Sequence, residues 1–210
     1  MDELLLVMAR APIAGQCKTR LAPTLGAERA RQLYEAMLRD VVATARPLPV
    51  PLRLCVDGEH PIFAELGVET WPQPAGGLAA RLTALLARGL GEAQAVCVIG
   101  SDAPLVSAHD LELAFELLVS HDAVIGPALD GGFWLLGLSD ATRLPGLFDG
   151  VRLSTAHAFA DLAAKLPGAI ALPTHFDVDT PADVTRLEAA LGATPIIAPH
   201  SRACFSDLLA

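Results

Sequence analysis

Three short stretches hold residues that could do chemistry together. "APIAGQCKTRLAP" (11–23) sets Gly15, Lys18 and Arg20 in a loop directly after an apolar run. A glycine lets backbone approach a ligand closely. An ammonium and a guanidinium supply cationic donors, and a guanidinium can grip two phosphate oxygens at once. "VIGSDAPL" (98–105) drives an apolar run into Ser101 and Asp102 and stops it at Pro104. A carboxylate there could hold Mg2+ or Mn2+, with water and phosphate completing the shell. "HFDVDTPAD" (175–183) places Asp177 and Asp179 two apart, which puts both on one side of an extended segment. Thr180 and Pro181 already start the next helix, so neither aspartate is needed as its cap. Two carboxylates on one side repel unless a cation or hydrogen bonds relieve them.

The first two stretches also have a plainer reading. The loop charges could simply face solvent, and Asp102 could cap the turn that follows it. Together, however, one basic loop and two acidic strand ends fit a metal-phosphate site. Cations and a divalent ion would neutralise phosphates there, and carboxylates would hold the ion. Other chemistries fit less well. The opening loop has neither G-x-x-x-x-G-K-[ST] nor G-x-G-x-x-G, against a P-loop ATPase and a dinucleotide dehydrogenase. The six histidines show no H-x-x-x-H spacing, against zinc. Cys17, Cys55, Cys97 and Cys204 are not at metal-ligand spacing and read as reduced, mostly buried thiols. No His or Asn pattern near Cys17 supports a nucleophile there.

Strands and helices must bring these stretches to one place. "LLLVMAR" (4–10) is apolar on both faces, as a central parallel strand would be. "LRLCV" (52–56), "VETW" (68–71), "AVCVIG" (95–100), "AVIG" (123–126), "GGFWLLGL" (131–138) and "AIALP" (169–173) read as further strands. Helices are expected at 26–45, 76–90, 107–120, 154–166 and 180–191. This alternation predicts a three-layer α/β/α sandwich with a mostly parallel sheet, made mixed by the glycine-entered strand at 131–138. Ligands of such sheets bind beyond the carboxyl ends of the strands, where the three stretches fall. One domain is expected over 1–192, and the tail 193–210 has no clear period.

Composition narrows the partners. With 52% hydrophobic and 19% charged residues, the 210-residue chain can bury a substantial core. Its net charge of -9 argues against nucleic acid or an anionic membrane as the main partner. No apolar run is long enough to span a bilayer, and Asp2 and Glu3 have the wrong sign for a signal peptide. The cytoplasm is the expected location.

"ARAPIAGQCKTRLAPTLGAERARQLYEAML", "IGSDAPL", "GPALDGGFWLLGL" and "FDVDTPADV" together resemble the DUF2064 family of glycosyltransferase-like, radical-SAM/selenodomain-associated transferases. The resemblance implies the GT-A fold of the nucleotide-diphospho-sugar transferase superfamily. It implies that Ala11, Gly15, Lys18 and Arg20 of the opening loop bind a nucleotide, together with Arg81 of "GGLAAR" and Asp102. Asp102 and Asp179, with Asp177 close by, would hold Mg2+ or Mn2+. "DGGFW" (130–134) would floor the acceptor side through Gly131, Gly132 and Trp134. Three positions depart from the family pattern: Ala103 stands for a usual Ser, Ala79 for the Gly of L-G-x-R, and Trp134 for a usual Tyr.

Two reactions are implied, both using a nucleotide or nucleotide sugar and a small-molecule acceptor. In nucleotidyl transfer, Lys18, Arg20 and the ion at Asp102 would stabilise charge at the attacked phosphate. In glycosyl transfer, an acceptor hydroxyl would need a base, for which Asp130 is the candidate. A non-catalytic nucleotide- or partner-binding module is the alternative of a different class.

Overall fold

The first apolar run becomes β1 (Glu3–Arg10), in which Leu4 to Val7 are each at most 3% exposed. A strand buried on both faces has to lie inside a sheet with layers on either side. The computed structural model, which describes residues 2–194 and 197–209, puts it there. The other strands are β2 (Leu52–Asp57), β3 (Glu69–Pro72), β4 (Ala95–Gly100), β5 (Ala123–Pro127), β6 (Phe133–Leu138) and β7 (Ile170–Ala171). Their order across the seven-stranded sheet is β3-β2-β1-β4-β6-β5-β7. β6 runs antiparallel to β4 and β5, and the remaining pairs are parallel. The expected mixed α/β/α sandwich is therefore the observed one.

The helices are α1 (Ala22–Leu25), α2 (Ala27–Ala45), α3 (Pro61–Glu65), α4 (Leu78–Leu90), α5 (Ala108–Leu118), α6 (Ala158–Lys165), α7 (Pro181–Ala193) and α8 (Pro199–Leu209). Alternation along β1 sends Leu5 and Val7 into one core and Leu4 and Leu6 into another. α2, α3 and α5 pack in the first core, and α4 and α6 in the second. A third cluster joins the opening loop, α2, α7 and α8 through Leu21, Leu33, Met37, Leu187 and Phe205.

Several boundaries differ from the sequence reading for local reasons. α4 starts at Leu78, because Gly76 has a positive φ and Gly77 is an extended N-cap. α6 starts at Ala158, since Ser154 turns through φ 59°. β6 starts at Phe133, the two glycines before it forming the turn. The last strand shrinks to two residues, and Pro173 cannot extend its ladder. α5 and α7 begin in full capping boxes, Ser107 with Asp110 and Thr180 with Asp183.

The tail without a readable period holds α8. Its first N–H groups need acceptors. Asp40 of α2, only 1% exposed, accepts those of His200 at 2.9 Å and Ser201 at 2.7 Å.

β1 sits between β2 and β4, so successive crossovers leave it in opposite directions. That divergence opens a crevice beyond the carboxyl ends of β1 and β4. Among the described residues no helix is long and apolar enough to cross a membrane.

Candidate active site

The loop leaving β1 is folded on itself before it reaches its cations. The N–H groups of Gln16 and Cys17 both donate to the Ile13 carbonyl, at 2.9 and 3.2 Å. Gly15 takes φ 77°, which only glycine adopts freely. Buried Cys17 and Leu21 pin the loop to the third core cluster. Between them, Lys18 lies at φ 44°, a left-handed conformation costing a non-glycine residue about 1 kcal/mol.

Its side chain is 6% exposed, and Nζ lies 2.9 Å from Asp102 Oδ2 and 2.7 Å from Asp179 Oδ1. Burial alone would lower the lysine pKa, but Asp102 and Asp179 outweigh it and hold the ammonium charged. Arg20 is 71% exposed, with Nη1 3.9 Å from Asp179 Oδ2.

The two acidic stretches meet through the backbone. The Val178 N–H donates to the Asp102 carbonyl at 2.9 Å, and the Val178 side chain is fully buried. In an extended segment its neighbours Asp177 and Asp179 then face the other way, into the crevice. Burial raises the Asp177 carboxyl well above the usual aspartate range, and Asp102 and Asp130 add to this. Its Oδ1 is buried without a hydrogen-bond partner.

These groups line a cavity of about 670 Å³ that also takes in Arg81, Asp130, Gly132 and Trp134. Ala11, Gly15 and Gly131 are not on its wall. Ala11 is buried, with its N–H on the Asp57 carbonyl at 2.8 Å, and so anchors the start of the loop. Gly131 shapes the opposite rim: at φ 86°, a Cβ there would sit 2.2 Å from the Ala156 carbonyl oxygen. Asp130 Oδ1 accepts the Gly132 N–H at 2.8 Å, closing an Asx turn. Trp134 is 2% exposed and donates Nε1–H to the Pro173 carbonyl at 3.0 Å.

The far end of the cavity holds residues that the sequence reading passed over. Asp57 ends β2 as Asp102 follows β4, and its Oδ2 lies 2.6 Å from Arg81 Nη1 and 3.3 Å from Arg10 Nε. Arg81 first, and Arg10 after it, hold the Asp57 carboxyl below the usual range. Gln73 donates to the Ala9 and Cys55 carbonyls and accepts from Arg81 at 3.1 Å. Tyr34, 4% exposed on α2, accepts the Arg10 N–H and pairs with Ser101 Oγ, both at 2.9 Å. It thereby joins the ends of β1 and β4. Tyr34 is the chain's single tyrosine and Asp57 is followed by Gly58, and these were the available signals.

A divalent ion fits the donor set at the lysine end. Asp102, Asp177 and Asp179 offer oxygen alone, which Mg2+ and Mn2+ prefer. The partnerless Asp177 Oδ1 is a buried acceptor of the kind an ion satisfies. Among the described residues, no three His, Cys, Asp or Glu side chains already form a cage. Mg2+ does not require one when phosphates complete its shell, since one or two carboxylates suffice.

The family described as "Uncharacterized protein conserved in bacteria (DUF2064)" matches residues 38–155. A phosphoenolpyruvate guanylyltransferase of Chloroflexus aurantiacus is 34% identical over 175 residues, covering 77% of this chain and 83% of that protein. Among solved structures, a candidate nucleotide-diphospho-sugar transferase from Desulfovibrio desulfuricans G20 superposes with TM-score 0.79 at 26% identity, covering 86% of this chain and 84% of the other. Rv0371c of Mycobacterium tuberculosis H37Rv, solved in complex with manganese, gives TM-score 0.56 at 20% identity, covering 89% and 98%, which is a likeness of fold.

Proposed function

The chain belongs to the DUF2064 family, and from that premise we propose that it is a divalent-metal-dependent nucleotidyltransferase. It would move a nucleoside monophosphate from a nucleoside triphosphate to a small acceptor that carries a phosphate. The observation that carries this reading is the buried Lys18 ammonium between Asp102 and Asp179, beyond the ends of β1 and β4. Cations and carboxylates meeting at a sheet crevice suit a polyphosphate and its ion.

Lys18 and Arg20 would hold the triphosphate, and Arg81 would meet the nucleoside at the other end of the cavity. Asp102 and Asp179, with Asp177, would hold the ion. When bound, Mg2+ or Mn2+ would neutralise charge on the reacting phosphates. The bond formed joins an acceptor phosphate oxygen to the α-phosphorus, and the bond broken releases pyrophosphate with its electron pair. An ionised phosphate oxygen has no proton to lose, so this transfer needs no general base. Transfer to a sugar acceptor's hydroxyl would need one. Asp130 is the candidate, yet its Oδ1 is already engaged by the Gly132 N–H. The guanylyltransferase relative is what favours nucleotidyl over glycosyl transfer. The guanylyltransferase relative supports GTP and phosphoenolpyruvate as the first pair to assay.

The test is pyrophosphate release from each nucleoside triphosphate with Mg2+ or Mn2+ and phosphoenolpyruvate, beside a panel of nucleotide sugars. Acceptor-dependent pyrophosphate release is expected, lowered on the order of 10²–10³-fold in Asp102→Asn. Turnover of nucleotide sugars alone would sink the reading.

A further inference from the structure

We propose that Lys18 is a tethered counter-cation. In the free protein its ammonium takes the place of the divalent ion between Asp102 and Asp179, and it must move onto the nucleotide phosphates before the ion can bridge those two carboxylates. The inference rests on the reading of the site given above and adds an order to it: nucleotide first or together with the ion, and ion alone only weakly.

The geometry points this way in three respects. First, the ammonium contacts one oxygen of each carboxylate, at 2.9 and 2.7 Å, and so joins the loop after β4 to the segment before α7, whose carboxylates otherwise repel. A divalent ion on the same oxygens would be crowded against an ammonium that water screens only in part, the lysine side chain being 6% exposed and its two carboxylate partners 30% and 42%. The two cations are therefore alternatives. Second, the residue type matches the task. The chain has two lysines, Lys18 and Lys165, against thirteen arginines. A compact ammonium on a flexible stem can fill an ion's position and leave it, which a planar guanidinium fork cannot do as readily. Third, the lysine leaves one carboxylate unserved. Asp177 Oδ1 stays buried without a partner while Asp102 and Asp179 share the single ammonium. A monovalent stand-in completes only part of the site. A phosphate chain in the cavity offers the ammonium new acceptors, and its departure leaves three carboxylates for one ion.

The test is Mn2+ binding, read by the electron paramagnetic resonance signal of free Mn2+. It uses the whole wild-type chain, Lys18→Met and Lys18→Gln, each with and without the α,β-methylene analogue of GTP. Without nucleotide, both variants should bind Mn2+ about tenfold or more tightly than wild type. With the analogue, wild type should gain affinity and the variants much less. Variants that bind Mn2+ alone no more tightly than wild type overturn the inference, while the metal-nucleotide reading survives if wild type still takes Mn2+ with the analogue. If no protein takes up Mn2+ with the analogue, both fail.

A wild-type measurement guards against misfolded variants. In protein labelled with 13C at lysine Cε, Lys165 serves as an internal reference. Mg2+ alone should leave the Lys18 resonance in place, and Mg2+ with the analogue should shift it. A Lys18 resonance that does not move when both are bound overturns the proposal.

Discussion

The two ends of the cavity answer the same problem, an aspartate where a strand gives out, in opposite ways. At the far end Asp57 lies between Arg10 and Arg81, side chains 58% and 22% exposed. Its charge is matched, and Gln73 completes the network with protein acceptors. At the near end Asp102 and Asp179 share one buried lysine, and an oxygen of the neighbouring Asp177 carboxyl is left over. The far end is a finished structure that a ligand can rest on. The near end is held in an unfavourable state that a ligand would improve, and such residual cost collects where function requires it.

The largest test of that contrast is Asp177→Asn. An amide keeps the shape and cannot ionise, whereas burial raises the Asp177 carboxyl to about 8, so that it must take up a proton to fold at neutral pH. In metal-free protein at neutral pH the variant should be more stable by about 1–3 kcal/mol, a rise of several degrees in Tm read by calorimetry. The proposed nucleotidyl transfer should fall on the order of 10²-fold in the same variant. Stability and activity moving in opposite directions would mark the near end as functional. A variant that loses both would make Asp177 a structural residue, and the contrast between the ends would collapse.

Most of the near end was legible because its residues break a pattern. Asp102 interrupts a strongly apolar strand, and Asp177 and Asp179 precede a helix that Thr180 already caps. Period and capping also located β1, β4, α2 and α7 to within a few residues. What stayed hidden has no period of its own. Tyr34 sits on the apolar side of α2 and reads as core until Arg10 and Ser101 are brought to its hydroxyl from distant segments. α8 carries no apolar stripe a sequence would show, and it is started by Asp40, 160 residues away along the chain. The bridging of Asp102 and Asp179 by one ammonium is likewise a tertiary fact, although the charges themselves were visible.

A middle-sized effect is expected at the far end. Arg81 and Arg10 lower the folded-state pKa of Asp57. A carboxylate with a lowered folded pKa adds stability above its unfolded pKa and loses it as pH falls through the folded value. Asp57→Asn should therefore cost stability at pH 7, about 1 kcal/mol or less, because the side chain is 31% exposed and solvent screens the pair. The stability curves of variant and wild type should converge below the ordinary aspartate range. Measured by urea unfolding across pH, a difference that persists into acid would show that packing, not charge, accounts for Asp57.

The smallest effect is at Arg20, which belongs to the near end by sequence but resembles the far end in exposure. Its guanidinium is 71% exposed, and its 3.9 Å approach to Asp179 is at the limit of an ion pair. Arg20→Ala should change stability by no more than about 0.5 kcal/mol. If the side chain meets phosphate, however, the substitution removes an interaction made only when nucleotide is present. Nucleotide affinity by calorimetric titration should then weaken by about tenfold, and the loss should shrink in high salt, since an exposed charge is screened. Lys18 sets the standard for comparison, because its buried contacts should respond far less to salt. An Arg20 variant that binds nucleotide as wild type does would confine the cationic half of the near end to Lys18 alone.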